Sequence, residues 1–257
     1  MKKPLLSVCF LLLLHFFVRA QAMPQGNWQL VDADVLGFVY LSDGVQLIKT
    51  DLKGNQVANY QDSYLGDIQQ IDCFKGLKNL VFHKDANAIV LLDNELAPLG
   101  DPLDLSTKGF YDVSATCLGP DDQIWIADGQ TGQLLLISKN LEVLQKGAVY
   151  FNYANAVEIE KMVWRNNMLL VLTRSDELLL FDQFGTFSHK FSFNRIEKPY
   201  VNYKHVYYVD KQRVLKFNYT INKTDTLFKG NKPIDAVWQS KNQLYLLEEN
   251  QIEPLNY

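Results

Sequence analysis

The sequence predicts an all-β fold made of six related units, and three patterns in its 257 residues lead there. Short apolar runs rich in Val, Ile, Leu, Tyr and Phe alternate with polar turns, as strands require. A helical apolar period almost nowhere persists for three turns. The third pattern is a repeat, in which strand, tight acidic turn and strand recur about every 40 residues.

The first element is "MKKPLLSVCFLLLLHFFVRAQA". Lys2 and Lys3 form a basic start, Leu5 to Val18 an apolar stretch and Ala20-Gln21-Ala22 a small-x-small cleavage pattern, as in an export signal. The apolar stretch is shorter than the roughly 20 residues of a spanning helix, and Cys9 lies within it, which argues against a lipoprotein cysteine. The expectation is a cleaved signal peptide, 1–22, and a single domain, 23–257. The mature chain is expected to be exported to the periplasm, the outer membrane or the exterior, without a membrane span and as a monomer. Losing Lys2, Lys3 and Arg19 takes the 25 basic residues to 22 against 29 acidic ones, a formal charge of −7. That balance, with no basic stripe, argues against a nucleic-acid partner.

The repeat then fixes the remaining elements in order. Its copies are "FVYLSDGVQLIKTDL" from Phe38, "LVFHKDANAIVLLDN" from Leu80 and "IWIADGQTGQLLLIS" from Ile124. They continue with "LLVLTRSDELLLFDQ" from Leu169, "VYYVDKQRVLKFN" from Val206 and "LYLLEENQIEPLN" from Leu244, at spacings of 42, 44, 45, 37 and 38. A further apolar strand precedes each copy, as in "WQLVDA", "IQQIDCF", "VSATCLG", "IEKMVWR", "YVNYK" and "IDAVWQ". A more polar fourth strand follows several, as in "NQVANYQ", "LEVLQKG", "FSHKFSF" and "TDTLFKG". Four antiparallel strands per repeat predict a six-bladed β-propeller, because a lone four-stranded sheet cannot bury both faces while a closed ring of them can. The last blade ends with its third strand, so ring closure is the weak point. In the third copy, Gly129 and Gly132 suit the positive φ angles of a hairpin turn.

The stretch "GPDDQIWIADGQTGQLLLISKNLE", within residues 119–142, resembles an NHL-type repeat, with Pro-Asp before its second strand and Ala-Asp after it. "FDQFGTF" and "TDLKGNQ" resemble the Asp-x-x-Gly turn that closes the third strand of such repeats. The resemblance implies a six-bladed propeller of the NHL or TolB-like type. It implies no particular activity, because this architecture carries binding modules, scaffolds and hydrolases alike.

Candidate functional residues come from recurrent positions. Asp43, Asp85, Asp128, Asp176, Asp210 and Glu249 follow the second strand at nearly one phase and so should ring one rim. Asp also favours turns for its own backbone hydrogen bonds, which is the plainer explanation. The loops between blades open on the same face and are aromatic, with Tyr60, Tyr64, Phe110, Tyr111, Tyr150, Phe151, Tyr153, Phe193 and Tyr200. Such side chains serve as interface anchors or as wedges between blades; here they are the candidate binding surface. Cys73 and Cys117 each lie seven residues before the second-strand anchor, on adjacent blades, and form a possible disulfide.

No His-x-x-x-His, G-x-S-x-G or phosphate-binding glycine motif is present, so no cofactor, metal or catalytic residue is expected from motifs. A gluconolactonase-like central metal site would draw on Asp32, Asp72, Asn155, Glu158, Asn202 and Asp235, whose phases disagree. "NYT" at Asn218, "NKT" at Asn222 and "DTL" at Asp225 match glycosylation patterns, the last placing a sugar on Thr226. The expected function is a non-enzymatic module that binds an envelope protein, a peptide or a glycan through the loop-bearing face. The alternative is a metal-dependent hydrolase with a site in the central channel.

Overall fold

The structure, a computed structural model, describes residues 23–255; the expected signal peptide lies outside the described residues. Blade one contains β1 (Leu30–Ala33), β2 (Val39–Ser42), β3 (Gln46–Thr50) and β4 (Gln56–Gln61). Blade two contains β5 (Ile68–Asp72), β6 (Asn79–His83), β7 (Ala88–Leu92) and β8 (Leu103–Asp104). Blade three contains β9 (Val113–Leu118), β10 (Ile124–Asp128), β11 (Gln133–Ile137) and β12 (Val143–Val149). Blade four contains β13 (Ile159–Arg165), β14 (Met168–Thr173), β15 (Glu177–Phe181) and β16 (Phe187–Ser192). Blade five contains β17 (Glu197–Val201), β18 (His205–Asp210), β19 (Arg213–Asn218) and β20 (Lys223–Lys229). Blade six has three strands, β21 (Ala236–Ser240), β22 (Gln243–Glu248) and β23 (Gln251–Leu255). All pairings within the blades are antiparallel. The chain is a six-bladed β-propeller.

The first strand of each blade lines the axis, and β21 returns to lie beside β1. Closure is made by packing, because among the described residues no N-terminal strand joins blade six. Met23 and Trp28 instead pack into the core shared with Leu244, Leu246 and Leu255. The exposed edge strand β23 carries Pro254, which has no N–H to offer a further strand. Blade two differs from expectation at its fourth strand, β8, which is two residues long and follows a segment broken by Pro98, Gly100 and Pro102.

Successive side chains point to opposite faces of a blade, so each blade feeds two wedge-shaped cores. Trp125 and Trp164, for example, stack with centroids 6.0 Å apart between blades three and four. This alternation corrects the disulfide expectation. Cys73 and Cys117 are buried free thiols. Cys73 faces the core between blades one and two, whereas Cys117 faces the one between blades three and four. Their anchors, Leu80 and Ile124, themselves face opposite ways, towards blade three and blade two respectively. Equal spacing from two anchors that differ by one pleat therefore puts the thiols on opposite sides. A second correction concerns the blade-three hairpin: Gly132 has φ +70°, but Gly129 does not adopt a positive φ. Gly129 is needed for close approach, since a Cβ there would meet the Ser114 hydroxyl at 2.5 Å.

Candidate functional site

The aromatic surface expected from the loops is largely interior. Tyr60, Phe110, Tyr150 and Tyr200 are buried, and Tyr200 lies on inner strand β17 rather than in a loop. The Tyr150 hydroxyl donates to the Val157 carbonyl, and the Tyr60 hydroxyl to Nε2 of buried His83 at 3.1 Å. Burial lowers the His83 pKa, and its Nδ1 donates to the Gly66 carbonyl, so the ring is neutral. Phe151, Tyr153 and Phe193 are half-buried; Tyr153 stacks on Phe187 at 3.9 Å. Only Tyr64 and Tyr111 of this set are exposed, at 97% and 69%.

The acidic turns mostly serve their own loops. Asp43 Oδ1 accepts the Val45 and Gln46 N–H groups, and Asp128 Oδ1 those of Gln130 and Thr131. Asp176 accepts the Ile196 N–H of the next blade, Asp210 pairs with Arg213, and Glu249 with Lys232. Asp85 is exposed beside Gly66. The hydrolase candidates do not converge either. Asn155 is bonded to Glu177, Asn202 to Gln239, and exposed Glu158 lies 3.8 Å from Arg174. Asp235 bonds through its backbone to Leu247, while Asp32 and Asp72 belong to the axial network described next. No three His, Cys, Asp or Glu side chains among the described residues are placed to share a metal ion.

What the ring does bring together is an axial pocket of about 390 Å³. It opens where the inner strands begin, on the face that bears the inter-blade loops and the β14–β15 turn with Arg174 and Asp176. Its aliphatic walls include Val31, Ile71, Met162 and Val237. Its charged lining is balanced, with Lys161, Arg174 and Lys198 against Glu160, Asp176 and Glu197. Arg174 lies 3.6 Å from Glu160.

Side chains near the axis bridge neighbouring inner strands. Asp32 Oδ2 accepts the Cys73 N–H at 2.9 Å, Gln70 Oε1 the Thr116 N–H at 2.9 Å, and Asp72 Oδ2 the Leu118 N–H at 3.0 Å. Beyond the third blade the sign reverses. Lys161 Nζ donates to the Pro199 carbonyl and Arg165 Nε to that of Val201, both at 3.3 Å. The Tyr200 hydroxyl donates to the Gln239 carbonyl at 3.0 Å.

These bridges close one end of the axis. Arg165, 3% exposed, reaches across to Asp72 at 3.2 Å and lies 3.9 Å over the Phe74 ring. Burial alone would lower the Arg165 pKa, but the facing Asp72 and Asp32 carboxylates outweigh it and raise it. The thiols of Cys73 and Cys117 are pushed up by burial and nearby carboxylates, so neither is an activated nucleophile. Sequence reasoning passed over Lys161, Arg165, Gln70 and Thr116. The available signal was two cations inside the apolar inner strand "IEKMVWR", where an unpaired charge would be costly.

No protein-family model matches the chain, and no curated protein matches it by sequence. Solved structures do match by shape. Virginiamycin B lyase from Staphylococcus aureus superposes with a TM-score of 0.59 at 12% identity, over 91% of this chain and 82% of that one. A streptogramin B lyase gives 0.58 at 12% identity, over 92% and 94%. BBS1N, solved in complex with ARL6DN, gives 0.54 at 14% identity, over 85% and 75%. At these identities the likeness is one of fold alone, and it agrees with the expected propeller architecture.

Proposed function

We propose that the chain is an exported recognition module, and that it takes the contacting part of a protein, peptide or glycan partner into its axial pocket. The observation that carries this reading is the pocket itself, where polar groups from several blades converge on open space. Against a hydrolase stands the engagement of Asp72, Arg165 and Asn155 with partners of their own. The solved neighbours include lyases and a propeller bound to a protein, so the fold is compatible with either use. Tyr64 and Tyr111 remain as exposed anchors at the rim of the same face.

The test is a screen of peptides and glycans by thermal unfolding, run on wild type and on Val31→Trp, whose side chain fills the pocket. Ligands that stabilise wild type are expected to lose their effect on the variant. Equal stabilisation of both would put the site elsewhere, and conversion of a ligand to product would overturn the non-enzymatic reading. For export, protein recovered from an envelope fraction is expected to start after Ala20 or Ala22.

A further inference from the structure

We infer that the inner end of the axial pocket receives an uncharged oxygen-bearing group, the amide or carbonyl of a peptide, with an aliphatic side chain beside it. The inference rests on the pocket being the binding site. Two side chains there have hydrogens to give, and the hydroxyl of a third is buried out of reach of the open space. Lys161 Nζ, on a side chain 15% exposed, spends one on Pro199. Gln70 is 8% exposed and its Oε1 is taken by the Thr116 N–H, which leaves Nε2 to donate. Thr116 is 2% exposed and its Oγ1 has no hydrogen-bond partner. The donors open to the pocket are therefore Lys161 Nζ and Gln70 Nε2, and beside them Asp32 Oδ1 is an acceptor without a partner of its own.

Charge decides which acceptor those donors take. Lys161 lies 3.7 Å from Asp32 Oδ1, too far for a hydrogen bond but close enough to balance it, and Arg165 balances Asp72. The inner end is therefore neutral before a ligand arrives. A carboxylate would add an uncompensated buried charge, and an ammonium would meet Lys161. A neutral oxygen satisfies the donors without either cost. The walls Val31, Ile71, Met162 and Val237 suit an aliphatic side chain, and among the described residues no aromatic ring lines the pocket for a sugar to stack on.

The backbone at the mouth points the same way. Lys198 holds φ +51° immediately before Pro199, where that conformation is disfavoured. The β17 register shifts across this dipeptide, and the Pro199 carbonyl accepts from Lys161. Strain of this kind persists where the surroundings fix a group in place, here the ammonium.

The probes are N-acetyl-leucinamide, N-acetyl-leucine and leucinamide near neutral pH, similar in shape and respectively neutral, anionic and cationic. Titrations follow the methyl signals of Val31, Ile71 and Met162. The amide is expected to bind, with both charged relatives at least about tenfold weaker. Asp32→Asn keeps an oxygen for the Cys73 N–H but leaves the inner end one positive charge in excess. The carboxylate probe should then gain about tenfold relative to the amide. Should that variant fail to fold, Lys161→Met reverses the imbalance and should favour the ammonium probe. A charged probe that outbinds the amide on wild type, or an order unmoved by these variants, overturns the inference. If none of the three probes binds while a larger ligand still enters the pocket, the inference alone fails. Ligands indifferent to Val31→Trp would instead overturn the pocket reading beneath it.

Discussion

At the closed end of the axis Asp72 is ion-paired to Arg165 and accepts the Leu118 N–H. Two residues earlier on the two strands, at the open end, Gln70 meets Thr116 and the Thr116 hydroxyl has no partner. The strands are the same and the burial is similar, yet one layer holds an ion pair and the other does not. The Asp72–Arg165 pair locks the ring, because each of the two charges has its counterpart in low dielectric. The other layer leaves the Thr116 hydroxyl without a hydrogen bond. The closed end thus acts as a fastening between blades that are far apart in sequence, and the open end is where the proposed ligand would enter.

The largest effect should come from breaking the closed end. Asp72→Ala strands Arg165 as a buried, unpaired cation and should cost about 3–5 kcal/mol in urea unfolding. Asp72→Leu with Arg165→Met should recover much of that loss; if it does not, the pair is doing more than balancing charge. Next, Lys198→Gly relieves the positive φ at the pocket mouth and should stabilise by about 1 kcal/mol while loosening Lys161 and weakening ligand binding. A gain in stability with unchanged binding would separate the strain from the site.

Acid should distinguish the two ends as well. The His83 pKa is lowered in the fold, so its neutral ring contributes fully above the ordinary value of 6.5, and that contribution is lost as pH falls below it. Hydrogen exchange between pH 7 and 5 should rise around Tyr60, Gly66 and His83 before it rises around Arg165, which stays charged. Uniform exchange would show that the two ends open together. The smallest stability change is expected for Thr116→Val, within about 0.5 kcal/mol, because the hydroxyl it removes bonds nothing in the unliganded protein.

The periodicity of the sequence was enough for the number of blades, because strand and turn signals are local. "DGQTG" marked the β10–β11 hairpin, and "IEKMVWR" marked β13 with its residue boundaries intact. That blade six ends on its third strand was legible too, and among the described residues no fourth strand joins it. The inner strand expected at "YVNYK" was not: β17 begins at Glu197, and Asn202 to Lys204 form a turn. A bulge across Lys198 and Pro199 had displaced it. The binding surface was misjudged because aromatic loop residues look alike in sequence whether they wedge between blades, as Tyr150 does, or stand in solvent, as Tyr64 does.

By itself, then, the sequence determined an all-β ring of six repeats, since each repeat encodes its own hairpins through near-neighbour patterns. Only the tertiary structure decided which face each strand residue took, and with it the separation of Cys73 from Cys117. It alone brought Asp72 to Arg165, 93 positions along the chain, and placed Lys161 and Thr116 in the lining of one pocket. The physical reason is that strand patterns repeat every two residues, whereas convergence on the axis depends on the rotation between blades, which no local pattern records.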